Sequence, residues 1–295
     1  LDPGEDSDGD GEIDRYILPA PPNIPNTRYV AKDGRIEVYW TDNAESSVDP
    51  ITGEQDFEGY RLYKSEFGYD VTGGTEAQDA LQLVAEFDKE GNPYFYNTGF
   101  QDIRLEEPKT FPDDTLQYQY RYTIDGLQSG WQHVVSLTAF DRGDEENNIQ
   151  PLESSKLSNA KHVFPGEPPV KDMDKNEPFV YPNPYYASAQ WRGTSIFEED
   201  RKIMFANLPR RCQIRIYNVA GDLVSTIRHT QDYSGDDIEW YNSFSDVDKT
   251  KFSGGEHAWD LLSDDNQIVA RGIYIFTVEN LENGNTREGK FVLIK

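Results

Sequence analysis

The chain has 295 residues, of which 36% are hydrophobic and 13% aromatic. This content is enough for packed cores, and the length suits two ordinary domains. Acidic residues outnumber basic residues 54 to 28, which gives a formal net charge of −26. The surface field should therefore repel nucleic-acid phosphates and anionic membranes. The single cysteine, Cys212, excludes an internal disulfide and a cysteine-based zinc cluster.

The first stretch, LDPGEDSDGDGEID, holds seven acidic residues in fourteen. Aligned with a twelve-residue calcium loop, it places acidic residues at the ligand positions and Gly11 at the turn. The candidate metal ligands are Asp6, Asp8, Asp10, Glu12 and Asp14. Ile17 stands where the loop has its bidentate glutamate, and a cluster of prolines follows. The stretch resembles the Asp-rich calcium linkers of thrombospondin type 3 repeats, which implies a structural calcium ion. A bare acidic tether is the alternative.

Strand-like stretches rich in Val, Ile, Tyr and Phe recur along the chain, and helical periodicity is nearly absent. These patterns predict an all-β protein. The stretch RIEVYWTD alternates Ile36, Val38 and Trp40 on one face, as a half-buried strand would. The stretch LQLVAEF also alternates, so we expect a strand there rather than a short helix. In CQIRIYNV, Cys212 shares a face with two isoleucines, which predicts a small core residue rather than a reactive thiol.

Three stretches in the first half, the strand with Trp40, GYRLYKS and LQSGWQHVVSLTAFD, resemble strands B, C and F of a fibronectin type III domain. The resemblance covers about residues 27–163 and implies a β-sandwich. Two features depart from that family. His133 stands at the position of the family's corner tyrosine, and the loops at 43–57 and 65–115 are longer than usual.

The long loops mix carboxylates with aromatic side chains, a composition typical of sugar-binding or protein-binding surfaces. The candidate ligand contacts in these loops are Tyr94, Phe95, Tyr96 and Phe100. The alternative is that these loops are connections packed over the sandwich.

The second half contains YPNP, IMFANLP, IRIYNVAGDLV, ARGIYIF and GKFVLIK in this order. Together they resemble the C-terminal sorting domain of proteins exported by the type IX secretion system, over about residues 180–295. The Ig-like domain of flagellar hook-capping proteins shares this immunoglobulin-like layout. The resemblance implies recognition by an outer-membrane translocon, followed by release or fixation at the cell surface. Insertions at 186–201 and 229–255 leave open whether the domain is removed after export or retained.

The last strand and its edge are the expected recognition surface of the second half. The candidate translocon-recognition residues are Gly289, Lys290, Phe291, Val292, Leu293, Ile294 and Lys295.

The patterns and resemblances together predict two tandem immunoglobulin-like β-sandwiches joined by a Pro-rich linker. The boundaries are an acidic linker at 1–20, a first sandwich at 21–164, a Pro-rich linker at 165–179 and a second sandwich at 180–295. A turn at Gly221 should connect two strands of the second sandwich.

The sequence carries no G-x-S-x-G, P-loop, dinucleotide or H-E-x-x-H motif, so we expect a non-catalytic chain. No apolar run approaches the roughly 18 residues that cross a bilayer. The first residue is Leu1 and no signal peptide is visible, so we expect a piece of a longer secreted precursor.

The expected function is a spacer or adhesion module with a type IX-like secretion and anchoring domain, on the outer-membrane surface or outside the cell. The expected partners are a translocon or another cell-surface protein, and glycans through the aromatic loop, but not nucleic acid. The alternatives are a permanently retained structural subunit of an extracellular assembly and a carbohydrate-binding module.

Overall fold

A computed structural model describes residues 4–5, 15–16, 18–65, 81–144, 149–186, 201–238 and 250–294. These residues form nineteen strands and one short 3-10 helix, Asn43–Ser46, which confirms the all-β class. The strands are β1 (Gly4–Glu5), β2 (Arg15–Tyr16), β3 (Thr27–Lys32), β4 (Arg35–Trp40), β5 (Phe57–Lys64), β6 (Gln82–Asp88), β7 (Arg104–Lys109), β8 (Tyr118–Asp125), β9 (His133–Asp141), β10 (Lys161–Val163), β11 (Phe179–Tyr181), β12 (Tyr185–Tyr186), β13 (Ile203–Ala206), β14 (Arg211–Asn218), β15 (Leu223–Thr230), β16 (Thr250–Lys251), β17 (His257–Trp259), β18 (Gly272–Asn280) and β19 (Thr286–Ile294).

The first sandwich packs a four-stranded sheet, in the order β3-β4-β8-β7, against a five-stranded sheet, in the order β16-β10-β9-β5-β6. Period-2 alternation in β4 points Ile36, Val38 and Trp40 inward, as predicted, where they meet Tyr60 and Leu62 from β5. The expected strand at LQLVAEF is confirmed as β6 over residues 82–87, and residues 75–80 lie outside the described part.

Strand β9 is buried on both faces. Its residues facing away from the core, among them Val134, Ser136 and Phe140, have no exposed surface. The following segment covers them: Glu153 forms an isolated bridge with Phe140, and Ser136 donates a hydrogen bond to the carbonyl of Lys156. The first sandwich therefore carries an additional layer over its five-stranded sheet.

The second sandwich packs a three-stranded sheet, in the order β11-β13-β17, against a five-stranded sheet, in the order β12-β19-β18-β14-β15. Ile203, Phe205 and Trp259 of the first sheet share one core with Phe276 and Phe291 of the second. Strands β14 and β15 meet at the turn containing Gly221, whose φ of +87° is a conformation that favours glycine. The predicted turn is thus confirmed.

The side chain of Cys212 also lies in the core of the second sandwich, which confirms its predicted burial. Burial raises the pKa of this thiol to about 12, so the thiol stays protonated at neutral pH.

The two sandwiches meet at a junction formed by residues 163–170, 250–258 and Tyr181. Strand β16 lies within the second half of the chain but pairs in parallel with β10 of the first sandwich. Phe164 stacks on Phe252 with 4.5 Å between ring centroids. The expected linker at 165–179 contains almost no strand, yet it lies along the second sandwich, because Met173 enters that core and Val170 donates its N–H to Leu208.

Candidate functional site

The terminal strand β19 contains six of the seven predicted recognition residues, and Lys295 lies outside the described residues. Phe291 and Leu293 point into the core and are buried. Gly289 is also required for packing, because a Cβ there would come within 2.3 Å of the Phe276 ring. Lys290, Val292 and Ile294 point away from the core, so only these alternate residues are placed to contact a partner.

The YPNP segment covers the outer edge of β19 near its end. Asn183 donates its side-chain amide to the carbonyl of Lys290 at 3.1 Å and accepts the N–H of Val292 at 3.1 Å. A side-chain amide offers one donor site and one acceptor site here, so Asn183 occupies the place of a neighbouring peptide group. Tyr185 and Tyr186 then pair in parallel with Leu293 and Ile294. The end of the terminal strand is therefore closed to strand addition.

The opposite edge of the same sheet has a similar cap. Asp264 donates its backbone N–H to the carbonyl of Val224 at 3.1 Å, and its carboxylate accepts the N–H of Thr226 at 3.0 Å. Unpaired strand edges are the usual sites of edge-to-edge association, and covering them prevents it. With both edges capped in part, the flat face of this sheet is the larger surface left for recognition.

The outer face of the second sandwich is the side of the five-stranded sheet turned away from the core. The strand pairings divide it into two halves. The apolar half, nearest the end of β19, consists of Tyr186, Tyr217, Leu223, Ile273, Ile275, Val292 and Ile294. The charged half consists of Arg211, Gln213, Arg215, Thr226, Arg228, Thr230, Thr277, Glu279, Thr286 and Glu288. Lys290 lies beside Ile275 at the boundary.

The apolar half is exposed. Leu223 is 53% exposed, Ile273 51% and Ile275 41%. Contiguous exposed apolar side chains on adjacent strands are uncommon on monomeric proteins and mark interaction sites. The sequence indicated part of this surface, because the predicted alternation of β14 fixes which residues face outward. It did not reveal which strands lie side by side.

The aromatic loop between β6 and β7 is held by a single carboxylate. Asp88 accepts the N–H groups of Tyr96, Asn97 and Thr98, each at 2.7 Å. Burial opposes ionisation of Asp88, but hydrogen bonds from Thr98 and the loop backbone hold its pKa below the ordinary value. The loop is therefore tied to the end of β6.

The four predicted ligand contacts in this loop do not form one surface. Phe100 packs against Phe57, Tyr60 and Tyr120 beside the core. Phe95 meets Phe140 edge to face, with 4.9 Å between centroids. Tyr94 is half-buried, and Tyr96 is 79% exposed. Of the four, Tyr96 alone presents most of its surface to solvent.

The five candidate calcium ligands, residues 6, 8, 10, 12 and 14, lie outside the described residues. The flanking strands are described: β1 pairs with β2 through Gly4 with Tyr16 and Glu5 with Arg15. The described part of the chain contains no group of three or more His, Cys, Asp or Glu side chains suited to a metal ion.

A buried histidine pair lies beside the junction. His229 of β15 bonds the carbonyl of Gly254 through Nε2 at 3.1 Å, so its Nδ1 is the acceptor for Nδ1–H of His257 at 3.3 Å. Nε2 of His257 lies 2.7 Å from a carboxylate oxygen of Asp237. Desolvation, with the adjacent His257, lowers the pKa of His229 to about 3, which keeps this ring neutral.

The histidine pair serves packing rather than chemistry in this geometry. Both rings are 1% exposed, and Tyr233 stacks on His257 with 3.8 Å between centroids, which closes access for a substrate. The bonds fix Gly254 just after β16, the strand that joins the first sandwich. The 28-residue separation of the two histidines gave no signal in the sequence.

Glu256 is a second buried group that sequence patterns missed. Its carboxyl accepts the N–H of Glu167 at 3.0 Å and the hydroxyl of Tyr181 at 2.8 Å. Gly166 lies against it, since a Cβ there would come within 2.1 Å of the carboxyl oxygen. Burial, reinforced by Glu167 and Asp33, raises the pKa of Glu256 to about 7. The junction thus contains a carboxyl that titrates near neutrality.

His133 is buried at the start of β9. Desolvation and the nearby Lys64 lower its pKa to about 4, so the ring is neutral at pH 7.

No protein-family model matches the chain, and no curated protein matches it. Among solved structures, the chain is similar to PorZ, a surface component of the type IX secretion system of Porphyromonas gingivalis, with 18% identity and a TM-score of 0.27, covering 42% of this chain and 12% of PorZ. It is also similar to dimeric latent PorU of that organism, with 14% identity and a TM-score of 0.24, covering 93% of this chain and 20% of PorU.

A further similarity is to the central fibronectin type III array of RIM-binding protein, with 12% identity and a TM-score of 0.23, covering 94% of this chain and 69% of the array. The chain therefore spans a fifth or less of PorU and PorZ. Similarity at this level does not establish a shared function. Separately, none of the described residues forms a helix long and apolar enough to cross a membrane.

Proposed function

We propose that the chain is a non-catalytic segment of a secreted bacterial cell-surface protein. Its first sandwich acts as a fibronectin type III-like spacer or adhesion module. Its second sandwich acts as a type IX-like sorting and anchoring domain. The observation that carries the proposal is the contact between the first and last sorting-like motifs, in which Asn183 of YPNP bonds Lys290 and Val292 of the terminal strand.

This contact joins motifs that are far apart in the sequence into one structure. The segments at 185–186, 211–230 and 272–294 form one five-stranded sheet, and YPNP covers the edge of β19 near its end. A translocon would then meet a folded surface, in which Lys290, Val292 and Ile294 are the accessible part of the terminal strand. The acidic charge and the absence of catalytic motifs in the sequence agree with an external, non-enzymatic role.

Export in the native host tests the proposal. Deleting 180–295 should leave the protein inside the cell, and unchanged export would contradict the sorting role. Because the deletion also removes β16 from the first sandwich, a second strain should carry Asn183→Ala, which disturbs only the edge contact. The matched control is Asn92→Ala, which likewise removes two side-chain hydrogen bonds, here part-buried, one to Glu58 and one from the N–H of Tyr94, in the first sandwich. Reduced export of the first variant alone supports the proposal.

Permanent retention of the second sandwich is favoured by a separate observation. Cleavage in the 165–179 linker, followed by loss of the second sandwich, would remove β16 from the sheet of the first sandwich and break the Phe164–Phe252 stack. We therefore propose that the mature surface protein keeps both sandwiches. Intact mass measurement of the protein released from the cell surface should show that residues 180–295 are still present, whereas truncation near the linker would contradict retention.

A further inference from the structure

We propose that the outer face of the second sandwich binds a second copy of this chain, face to face, about a twofold axis parallel to the strands. The proposal rests on the exposed sheet itself and does not require the sorting role. In this arrangement the axis passes between β18 and β14, so that β18 of one copy lies over β14 of the other. Strand β19 then lies over β15 of the other copy.

The first support is the apolar half. Because the axis is parallel to the strands, each residue row meets the same row of the other copy. Ile275 then faces Tyr217 of the second copy, and the aliphatic stem of Lys290 lies over Leu223, while Tyr186 on the outermost strand lies beyond the overlap. Burial of exposed apolar surface is the main favourable term in such contacts. Both edges of the sheet carry capping contacts, which disfavours strand addition and leaves face-to-face packing.

The second support is the distribution of charge within the charged half. Its acids, Glu279 and Glu288, lie on β18 and β19, whereas its arginines lie on β14 and β15. The proposed axis places the acidic strands of each copy over the arginine strands of the other. Within one copy Arg215 already bonds Glu279 at 2.8 Å, so the dimer would extend this pair into a network.

The net charge of the outer face also favours a second copy of an acidic chain. Counting Lys290, the face carries four bases and two acids. In the whole chain the acids outnumber the bases 54 to 28. Two copies that met through other acid-rich surfaces would repel one another, whereas contact through this face avoids that repulsion.

The third support is size. The four strands that overlap, β19, β18, β14 and β15, span roughly 19 Å at about 4.8 Å per strand, and nine residues along a strand span roughly 30 Å. The resulting area of roughly 570 Å² per copy, or roughly 1,100 Å² in total, exceeds the roughly 1,000 Å² expected of a specific interface. The face is thus large enough for a dimer without help from the rest of the chain.

Sedimentation velocity of the purified chain over a range of concentrations tests the proposal. The wild type should shift from monomer to dimer as concentration rises. The double variant Ile273→Lys with Ile275→Lys should weaken dimerisation at least about tenfold, because it buries two charges in the apolar half. The matched control is Leu83→Lys on β6, since Leu83 is 53% exposed but belongs to the first sandwich. This control should dimerise as the wild type does.

An exchange of charges between two strands distinguishes loss of the dimer from loss of the fold. The single variant Glu279→Arg should weaken the dimer, and adding Arg215→Glu should restore it, because the proposed axis opposes these two strands. A wild type that stays monomeric up to about 1 mM, where even weak association would be visible, would overturn the proposal. So would a dimer that the lysine variants and the charge exchange leave unchanged.

Discussion

The central strands β9 and β18 have the same length, nine residues, but opposite environments. Every residue of β9 is buried, because the chain after it returns over the sheet. In β18, buried residues alternate with exposed ones, among them Ile273 and Ile275. The five-stranded sheet of the first sandwich is thus covered on its outer side at β9 by the same chain. The outer face of the second sandwich is partly apolar, and none of the described residues covers Ile273 and Ile275 in this way. The proposed interaction surface therefore belongs to the second sandwich.

The largest expected effect is the difference in stability loss between a substitution on β9 of the first sandwich and one on β18 of the second. Phe140→Ala on β9 removes a fully buried ring that contacts Phe95 and lies under Arg61. It should lower the free energy of unfolding by about 3–5 kcal/mol. Ile275→Ala on β18 removes a partly exposed side chain and should cost less than about 1 kcal/mol. Denaturant titration of both variants checks this, and equal losses would show that the two outer faces do not differ.

The next effect concerns the junction and depends on pH. The pKa of Glu256 is raised in the folded chain from 4.5 to about 7, so the protonated form favours the fold. This stability is complete below about pH 4.5 and is lost as the pH rises through 7, with a total of about 3 kcal/mol. Unfolding at pH 5, 6, 7 and 8 should show the decline. Glu256→Gln should flatten it, and Glu288→Gln on the outer face should not. An unaltered slope in Glu256→Gln would contradict the assignment.

A smaller effect is expected at the sheet edges. Asn183→Ala removes two hydrogen bonds to β19 and should lower the free energy of unfolding by about 1–2 kcal/mol. Hydrogen exchange at the Val292 amide should become faster, because that N–H then faces solvent. Asp264→Ala should accelerate exchange at Thr226 and leave Val292 protected. Loss of protection at both amides in either variant would indicate general unfolding rather than a local cap.

The smallest effect on stability is expected at Tyr96. Because its side chain is 79% exposed, Tyr96→Ala should change the free energy of unfolding by less than about 0.5 kcal/mol. If the aromatic loop binds sugars, the same variant should lose binding on a glycan array. An array without hits for the wild type would dismiss the carbohydrate-binding alternative.

The calcium prediction for the acidic linker at 1–20 can be tested without a substitution. If Asp6, Asp8 and Asp10 converge on calcium, adding calcium should protect the 14–22 region from proteolysis. Like charges about 4 Å apart repel by about 4 kcal/mol at an effective dielectric of 20, so the carboxylates need the cation to converge. No change in cleavage on calcium titration would favour the bare tether.

Local patterns in the sequence were sufficient for much of the fold. Alternation in RIEVYWTD and CQIRIYNV correctly predicted β4, β14 and the burial of Cys212, since the period of a strand is a property of neighbouring residues. Long-range pairing has no such period. The addition of β16 to the first sandwich, the meeting of His229 with His257, and the burial of Glu256 all join distant segments.

In the candidate site, too, local features could be predicted from the sequence and long-range contacts could not. The terminal strand and its edge were predicted as the recognition surface. The sequence did not reveal that this edge is covered near its end, because Asn183, which covers it, lies more than a hundred residues away in the chain. The aromatic loop was predicted from composition alone, which does not distinguish an exposed ring from a packed one. Phe100 beside the core and Tyr96 in solvent illustrate the difference.

Oxidative footprinting of the protein on its native cell surface tests the central claim most directly, because it asks whether the outer face is covered in the working molecule. Hydroxyl radicals should oxidise Leu223, Ile273 and Ile275 in dilute purified protein. On the cell surface these residues should be protected, while Leu83 of the first sandwich stays reactive in both samples. Equal oxidation of the outer-face residues in the two samples would contradict the claim that this face is an interaction surface.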